Sequence, residues 1–430
     1  MTQSVKTLFL FAFVAVLIIG TGMVQSWNSA LLILNMGLVS AVMALGVNLQ
    51  WGIAGLFNVG VMGFVALGGL GVVLTSMPPV QEAWSAGGLR AIGALVIIAA
   101  TVAASAYIWR NFRKAWLVAV VLIGGLILYR MVRDPGVAAI EAVNPAVSGY
   151  LGGLGLPVLF AWPIGGLLAA GGAWIIGKTA LGLRSDYLAI ATLGISEIII
   201  AIMKNEDWLA RGVKNVIGLP RPVAREIDLQ NDPGFVEAAA GYGLDATTAS
   251  TLYVKLSYSL LFAIVLVIVL VLAQLALKSP WGRMMRAIRD NEVSARAMGK
   301  DVTFRHLQVF ILGSAICGVA GAMMTTLDGQ LTPSSYQPLR YTFLIWVMVI
   351  VGGSGNNMGA ILGGMIIWFL WVQVEPLGQG LMNILTAGMA DGSALKEHLL
   401  DSVQHMRLLT MGLILLIVLR FSPRGLLPEK

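Results

Sequence analysis

Apolar residues run in long unbroken stretches along this chain, separated by short basic or polar segments. A membrane-crossing helix needs roughly 20 such residues. Runs of that kind lie at 7–23, 29–49, 53–75, 90–109, 115–132, 156–177, 187–203, 253–276, 303–325 and 407–421. A longer stretch, 341–374, is interrupted by Gly352, Gly353, Ser354, Gly355, Asn356 and Asn357, which predicts two short helices joined by a tight turn. The pattern predicts an all-α polytopic membrane protein of about 10–12 transmembrane or re-entrant helices. With no internal repeat and no low-complexity linker, residues 1–430 read as a single membrane domain.

Composition agrees. The chain is 58% hydrophobic and 11% charged, with a mean hydropathy of +0.85, whereas soluble domains carry about a quarter charged residues. A water-soluble fold is excluded. The 51 glycines suit membrane helices, whose backbones approach closely where small residues allow it. Lys6 followed by the apolar run from Leu8 to Ile19 imitates a signal peptide, but no small-x-small cleavage site follows, so the segment is predicted as an uncleaved first span.

The net charge of +7 does not point to nucleic acid, because the basic residues form short clusters between apolar runs rather than a stripe. They fit the positive-inside rule. The most basic loop, 278–305, holds Arg283, Arg286, Arg289, Arg296 and Lys300 and is expected to be cytoplasmic. Counting spans from it places Lys6, Arg110, Arg113, Lys114, Lys178, Arg184 and the tail residues Arg420, Arg424 and Lys430 on the same side. The expected location is the bacterial inner membrane, multi-pass, with both termini cytoplasmic. The long loops 204–252 and 379–404 fall outside, and Arg130 and Arg133 are the exceptions to the rule.

In the basic loop Trp281, Met284, Met285, Ile288, Ala295 and Met298 recur at helical spacing while the arginines take other faces, predicting one short amphipathic helix. Gly299 ends it, and Asp301 or Thr303 caps the next span. Such a helix is either a docking element or a basic face lying on anionic lipid. Glu197 lies inside a predicted span, where a carboxylate costs roughly 3 kcal/mol or more unless it meets a polar cavity or a partner. It reads as a pathway-lining group or as a hydrogen-bonded structural one. The run with Asn48, Gly52, Gly55, Asn58, Gly60, Gly63, Gly68 and Gly69 either packs tightly or breaks open to offer backbone groups.

Catalytic chemistry finds no support. Residues 172–179 match the P-loop expression, yet they finish a membrane helix instead of following a strand. His398 and His405 with Glu397 and Asp401 lack zinc-ligand spacing. Cys317, in an apolar run, reads as a packing residue. No nucleophile sits near a histidine base, so the chain is expected not to be an enzyme, to bind no metal, and to bind no cofactor of its own.

The sequence Glu292-x-x-Ala295-x-x-x-Gly299 resembles the cytoplasmic EAA loop of ABC importer permeases. A broader likeness joins LQWGIAGLFNVGVMGFVALGG (49–69), LRSDYLAIATLGISEI (183–198), RAIRDNEVSARAMG (286–299), GSAICGVAGAM (313–323), VIVGGSGNNMGAILGG (349–364) and the tail RFSPRGLLP (420–428). In this order they resemble the LivM type of branched-chain amino-acid permease. Two regions depart from that pattern: 210–218, where the family has a Thr-Gly-Gly then Asn-Gly-Ile turn, and 90–155, which reads as an accessory pair of helices.

The resemblance implies the ABC importer permease fold and ATP-driven movement of branched-chain amino acids (Leu, Ile, Val) from periplasm to cytoplasm. It implies a second permease of the LivH type, two cytoplasmic ATPases that carry ATP and Mg, and a periplasmic solute-binding protein as partners. Arg286, Arg289, Glu292, Ala295 and Gly299 are then expected to couple to the ATPase. Asn48, Gly52, Gly55, Asn58, Gly60, Tyr187, Thr192, Gly194 and Glu197 are expected along the translocation pathway, and Lys204, Arg211 and Lys214 at the docked binding protein. The rivals are the same machine carrying urea, a short amide or another amino acid, and, in a different class, an ion-coupled secondary carrier.

Overall fold

The computed structural model describes residues 3–389 and 393–429. Among these, ten helices are long and apolar enough to cross a membrane, and two shorter apolar ones accompany them. In chain order the principal helices are α1 (Gln3–Val24), α2 (Trp27–Val47), α3 (Val61–Ser76), α4 (Leu89–Phe112), α5 (Ala115–Glu141), α6 (Val158–Ala180) and α7 (Ser185–Asn205). They continue as α8 (Ala246–Lys278), α9 (Pro280–Asp290), α10 (Glu292–Ala297), α11 (Val302–Asp328), α12 (Pro338–Gly352), α13 (Asn357–Thr386) and α14 (Met406–Phe421). The all-α polytopic expectation holds.

α11 is the central post, flanked by α2, α3 and α6, while α2 also packs on α8 and α13. Small residues set how close these helices come. A Cβ at Gly68 of α3 would lie 1.8 Å from the Gly318 carbonyl oxygen of α11, so the two backbones touch. With no hydrophobic force between helices in lipid, that contact supplies the dispersion that holds the pair. Cys317 is fully buried beside it, as a packing residue would be.

The apolar run 53–75 is not one helix. α2 runs into a π-helical turn, Asn48–Ile53, the chain then opens through residues 54–60, and α3 starts only at Val61. Its 16 residues rise about 24 Å, short of the ~30 Å hydrocarbon core. Gly55 adopts φ +72°, and the side chains of Asn58 and Thr192 accept from Gly60 N and Val59 N of the opened backbone, as buried non-helical chain at membrane depth requires.

The basic loop differs from expectation in one way: it forms α9 and α10 rather than a single helix. Asn291 between them is extended (φ −155°, ψ 94°), and its Oδ1 accepts from Ser294 N at 2.9 Å, an N-cap that starts a second helix. Met285 and Ile288 are buried beneath α9 as the periodicity predicts, whereas Met298 stands 80% exposed. Gly299 follows with φ +75°, and Asp301, not Thr303, caps α11 through Phe304 N.

The 204–252 segment is folded rather than an open loop. It holds helices Asp207–Ala210, Glu226–Gln230 and Pro233–Gly241, and a strand β1 (Val216–Ile217) paired antiparallel with β2 (Gln330–Leu331). The unmatched 90–155 region is a helical hairpin, α4 and α5, packed chiefly on itself. The exceptional arginines at its far end are neutralised locally: Arg130 pairs with Asp134 at 3.4 Å and Arg133 with Glu206. Residues 172–179 lie within the helix α6, so no loop of free amides exists there to cradle a phosphate. Tail residues through Glu429 gather on the same face as α9 and α10; the predicted basic residue Lys430 lies outside the described residues.

Candidate functional site

At that face two chain breaks and the chain's tail meet a basic helix. Arg289, on α9, donates through Nη1 to the Gly52 carbonyl oxygen and to Glu429 Oε2 at 2.8 Å, and through Nε to Asp290 Oδ1 at 3.2 Å. One guanidinium therefore joins the loop helix, the π-helical turn and the chain's tail. The tail in turn is stitched to the break after α12: Leu426 N donates to Val351 O and Leu427 N to Gly352 O, both at 2.9 Å. Gly55, at the turn, lies against Arg289 Cγ.

Deeper in, side-chain amides knit the breaks together. Asn48 donates to Asn357 Oδ1 at 3.0 Å and accepts from Gly355 N at 2.9 Å. Asn58 donates to Gln50 Oε1 at 2.8 Å and accepts from Gly60 N at 2.9 Å, while Gln50 donates on to Phe310 O and Ser314 Oγ of α11. Trp346 of α12 donates to the Asn58 carbonyl and packs at a tilt against Trp51 and edge-on against Phe57, with ring centroids 4.7 and 4.6 Å apart. Asn58→Leu is expected to leave Gln50 Oε1 and Gly60 N without partners and to lower stability by about 1–3 kcal/mol for each orphaned buried group. Thermal unfolding in detergent, compared with an exposed Asn205→Leu control, measures it.

The predicted pathway residues therefore divide. Asn48, Asn58, Gly60 and Thr192 sit in the buried network, with Thr192 Oγ1 accepting from Val59 N at 3.1 Å. Gly52 and Gly55 sit against Arg289. Tyr187, Gly194 and Glu197 lie on the exposed face of α7, one above another at helical spacing. Glu197 lines a cleft of about 1090 Å³ whose other walls include Lys204, Arg340, Phe343, Glu375 and Arg407. Arg407 pairs with Glu375, and Arg340 lies over the Trp371 ring at 5.2 Å. Among the described residues neither Glu197 nor Arg340 has an oppositely charged partner.

Of the residues expected at a docked binding protein, Lys214 is paired with Asp207 at 2.9 Å within the 204–252 segment, and Arg211 donates to Ala146 O at 2.5 Å, tying that segment to the chain after α5. Lys204 opens into the Glu197 cleft. Of the residues expected to couple, Arg286 donates weakly to Leu277 O at 3.4 Å, Ala295 is half-buried, and Glu292 faces solvent paired with Arg296. Val293 and Met298 are each 80% exposed on the α10 segment, apolar side chains with no cover.

Residue reading alone missed Gln50, Trp346, Arg340, Glu375, Arg407 and Glu429. Gln50 carried a signal, as a second amide two residues from Asn48 in an apolar run. Arg340, Glu375 and Arg407 stood at span ends, where a charge is ordinary, while Trp346 lay within an apolar run and Glu429 in the tail.

The family model described as "Branched-chain amino acid transport system / permease component" matches residues 29–419. The "High-affinity branched-chain amino acid transport system permease protein LivM" of Escherichia coli (strain K12) is 25% identical over 297 residues, 68% of this chain and 62% of that relative. The "Probable branched-chain amino acid transport permease protein LivM" of Methanocaldococcus jannaschii is 26% identical over 294 residues, covering 67% of this chain and 72% of the relative. A LivH permease of the same archaeon is 32% identical over 131 residues, covering 28% of this chain and 41% of the relative. No solved structure matches the chain.

Proposed function

The chain belongs to the family of permease components of branched-chain amino acid transport systems, and on that premise we propose that it is the membrane-spanning subunit of an ATP-driven importer of leucine, isoleucine and valine. It catalyses no chemistry itself. ATP and Mg are held by two cytoplasmic ATPases, a LivH-type permease forms the second half of the pathway, and a periplasmic binding protein delivers the solute. The membrane is the bacterial inner membrane, with the α9–α10 face and both termini in the cytoplasm.

The observation that carries this reading is Arg289. An amphipathic helix outside the membrane is tied by one charged side chain to the opened chain at Gly52 and to the tail at Glu429. Movement of α9 and α10, driven by closure of the ATPases, is thereby passed to the buried amide network and to Trp346. This is mechanical coupling between two states, each favoured by a different partner. Glu197, Lys204 and Arg340 line the pathway half that this subunit contributes, where charges of both signs meet a zwitterion.

Exposed apolar side chains on a short helix are the usual anchors of a partner surface. Replacing Val293 and Met298 together by Asp is expected to prevent co-purification of the ATPase with the tagged chain while the chain itself stays monodisperse. Capture of the ATPase at the native level by this double variant would place the contact elsewhere.

A further inference from the structure

A second cavity, of about 150 Å³, lies inside the helix core, walled by α2, α3, α11, α12 and α13. Five methionines face it, Met36, Met43, Met62, Met324 and Met348, with Leu344 and Ile345. At its mouth, on the face opposite α9, are Asp328 and Ser335. Residues 335–341 separate it from the Glu197 cleft: Ser335 and Tyr341 line the cavity, and Tyr336 to Arg340 line the cleft.

Three features of this cavity point to one kind of occupant. A dry apolar cavity of about 150 Å³ accepts a guest the size of benzene, which is also the scale of a branched aliphatic side chain. Thioethers are flexible and polarisable, so a methionine wall adapts to isobutyl, sec-butyl and isopropyl groups without being cut for any one. Two lining polar groups are unmet: Asp328 has no cationic partner among the described residues, and the buried indole N–H of Trp368, which also lines the cavity, has no acceptor. An aliphatic chain bearing an ammonium and a carboxylate matches both.

We infer that this cavity is a holding site, within this subunit, for the side chain of a branched aliphatic α-amino acid, its ammonium on Asp328 and its carboxylate accepting from Trp368. The inference rests on the importer reading above and deepens it, since it places recognition of the side chain in the permease and not only in the delivering protein.

The purified full chain in nanodiscs is titrated with L-leucine, L-valine, glycine, 3-methylbutylamine and 3-methylbutanoate, with thermal unfolding read by tryptophan fluorescence. Leucine, valine and the amine raise the unfolding temperature; glycine and the carboxylate-only analogue do not. Asp328→Asn weakens leucine about tenfold, the loss of one charge-assisted contact, and Met348→Trp, which fills the cavity, removes the response. Met348→Leu keeps it. Equal protection by glycine, no leucine response in the native chain, or an undiminished response in both Asp328→Asn and Met348→Trp would overturn the inference. Leucine-stimulated ATP hydrolysis by the assembled complex is measured in parallel. Its loss would count against the importer reading, whereas protection of the chain alone decides the cavity.

Discussion

Arg289→Ala is expected to leave the chain folded and inserted but to cut solute-stimulated ATP hydrolysis of the assembled importer about ten- to a hundredfold. The range follows from the bonds lost. A hydrogen bond to a charged group is worth about 1.5–3 kcal/mol, and the change removes those to Gly52 O and Glu429 together with the weaker one to Asp290. Arg289 is three-quarters shielded from solvent, so screening leaves most of the effect. Arg289→Lys keeps the charge without the planar fork that reaches separate acceptors and is expected to fall between the two. Basal ATP hydrolysis, which needs no signal from the spans, stays unchanged. Full stimulation in Arg289→Ala would remove this side chain from the coupling route.

Gly68→Val is expected to abolish accumulation of monodisperse chain. A Cβ there would stand 1.8 Å from Gly318 O and 2.6 Å from Gly318 C. Both are backbone atoms of the central helix and cannot swing aside as a flexible side chain would. Overpacking a core costs about 1–3 kcal/mol when side chains can shift, and more when α3 must leave α11. Gly171→Val on α6, where nothing lies within 4 Å of the added Cβ, is the matched control and is expected to change stability by no more than about 0.5 kcal/mol, since valine is at least as good a helix former as glycine. Size-exclusion profiles of the two variants at equal expression separate close packing from a general intolerance of bulk.

Most spans were legible because hydrocarbon imposes a length and an apolar composition that few other structures need. α6, α7 and α11 begin and end within a few residues of the apolar runs that predict them. The break at 352–357 was legible from its glycines and asparagines, though only α12 before it is short and α13 runs 30 residues to Thr386, into the expected 379–404 loop; the cap at Asp301 was legible from its place before an apolar run. The opening at 54–60 was harder, since hydropathy does not tell a helix from buried extended chain. What decides it is whether Asn58 and Thr192 arrive to satisfy Val59 and Gly60, and Thr192 is more than a hundred residues away. The split between α9 and α10 turned on a single Asn291 cap, which competes with continuing the helix by only about 1 kcal/mol.

The site was less legible than the fold. Asn48 and Asn58 stand out in sequence as polar groups in apolar runs, but sequence does not say whether their bonds go to a solute or to Asn357 and Gln50. Glu197 drew attention by its cost in lipid, and its exposed position in a polar cleft follows from the face of α7 it occupies. Arg340 and Glu429 gave no local signal because their meaning lies in contacts across long separations. The methionine cavity was invisible for the same reason: five methionines on four different helices meet only after folding.

The most direct measurement reconstitutes the chain with a LivH-type permease and the two ATPases in sealed vesicles and follows labelled leucine against ATP and the loaded binding protein. The account predicts uptake that requires both ATP and the binding protein and that falls with Arg289→Ala. Uptake by this chain alone, driven by an ion gradient and indifferent to ATP, would contradict it and make the chain a secondary carrier.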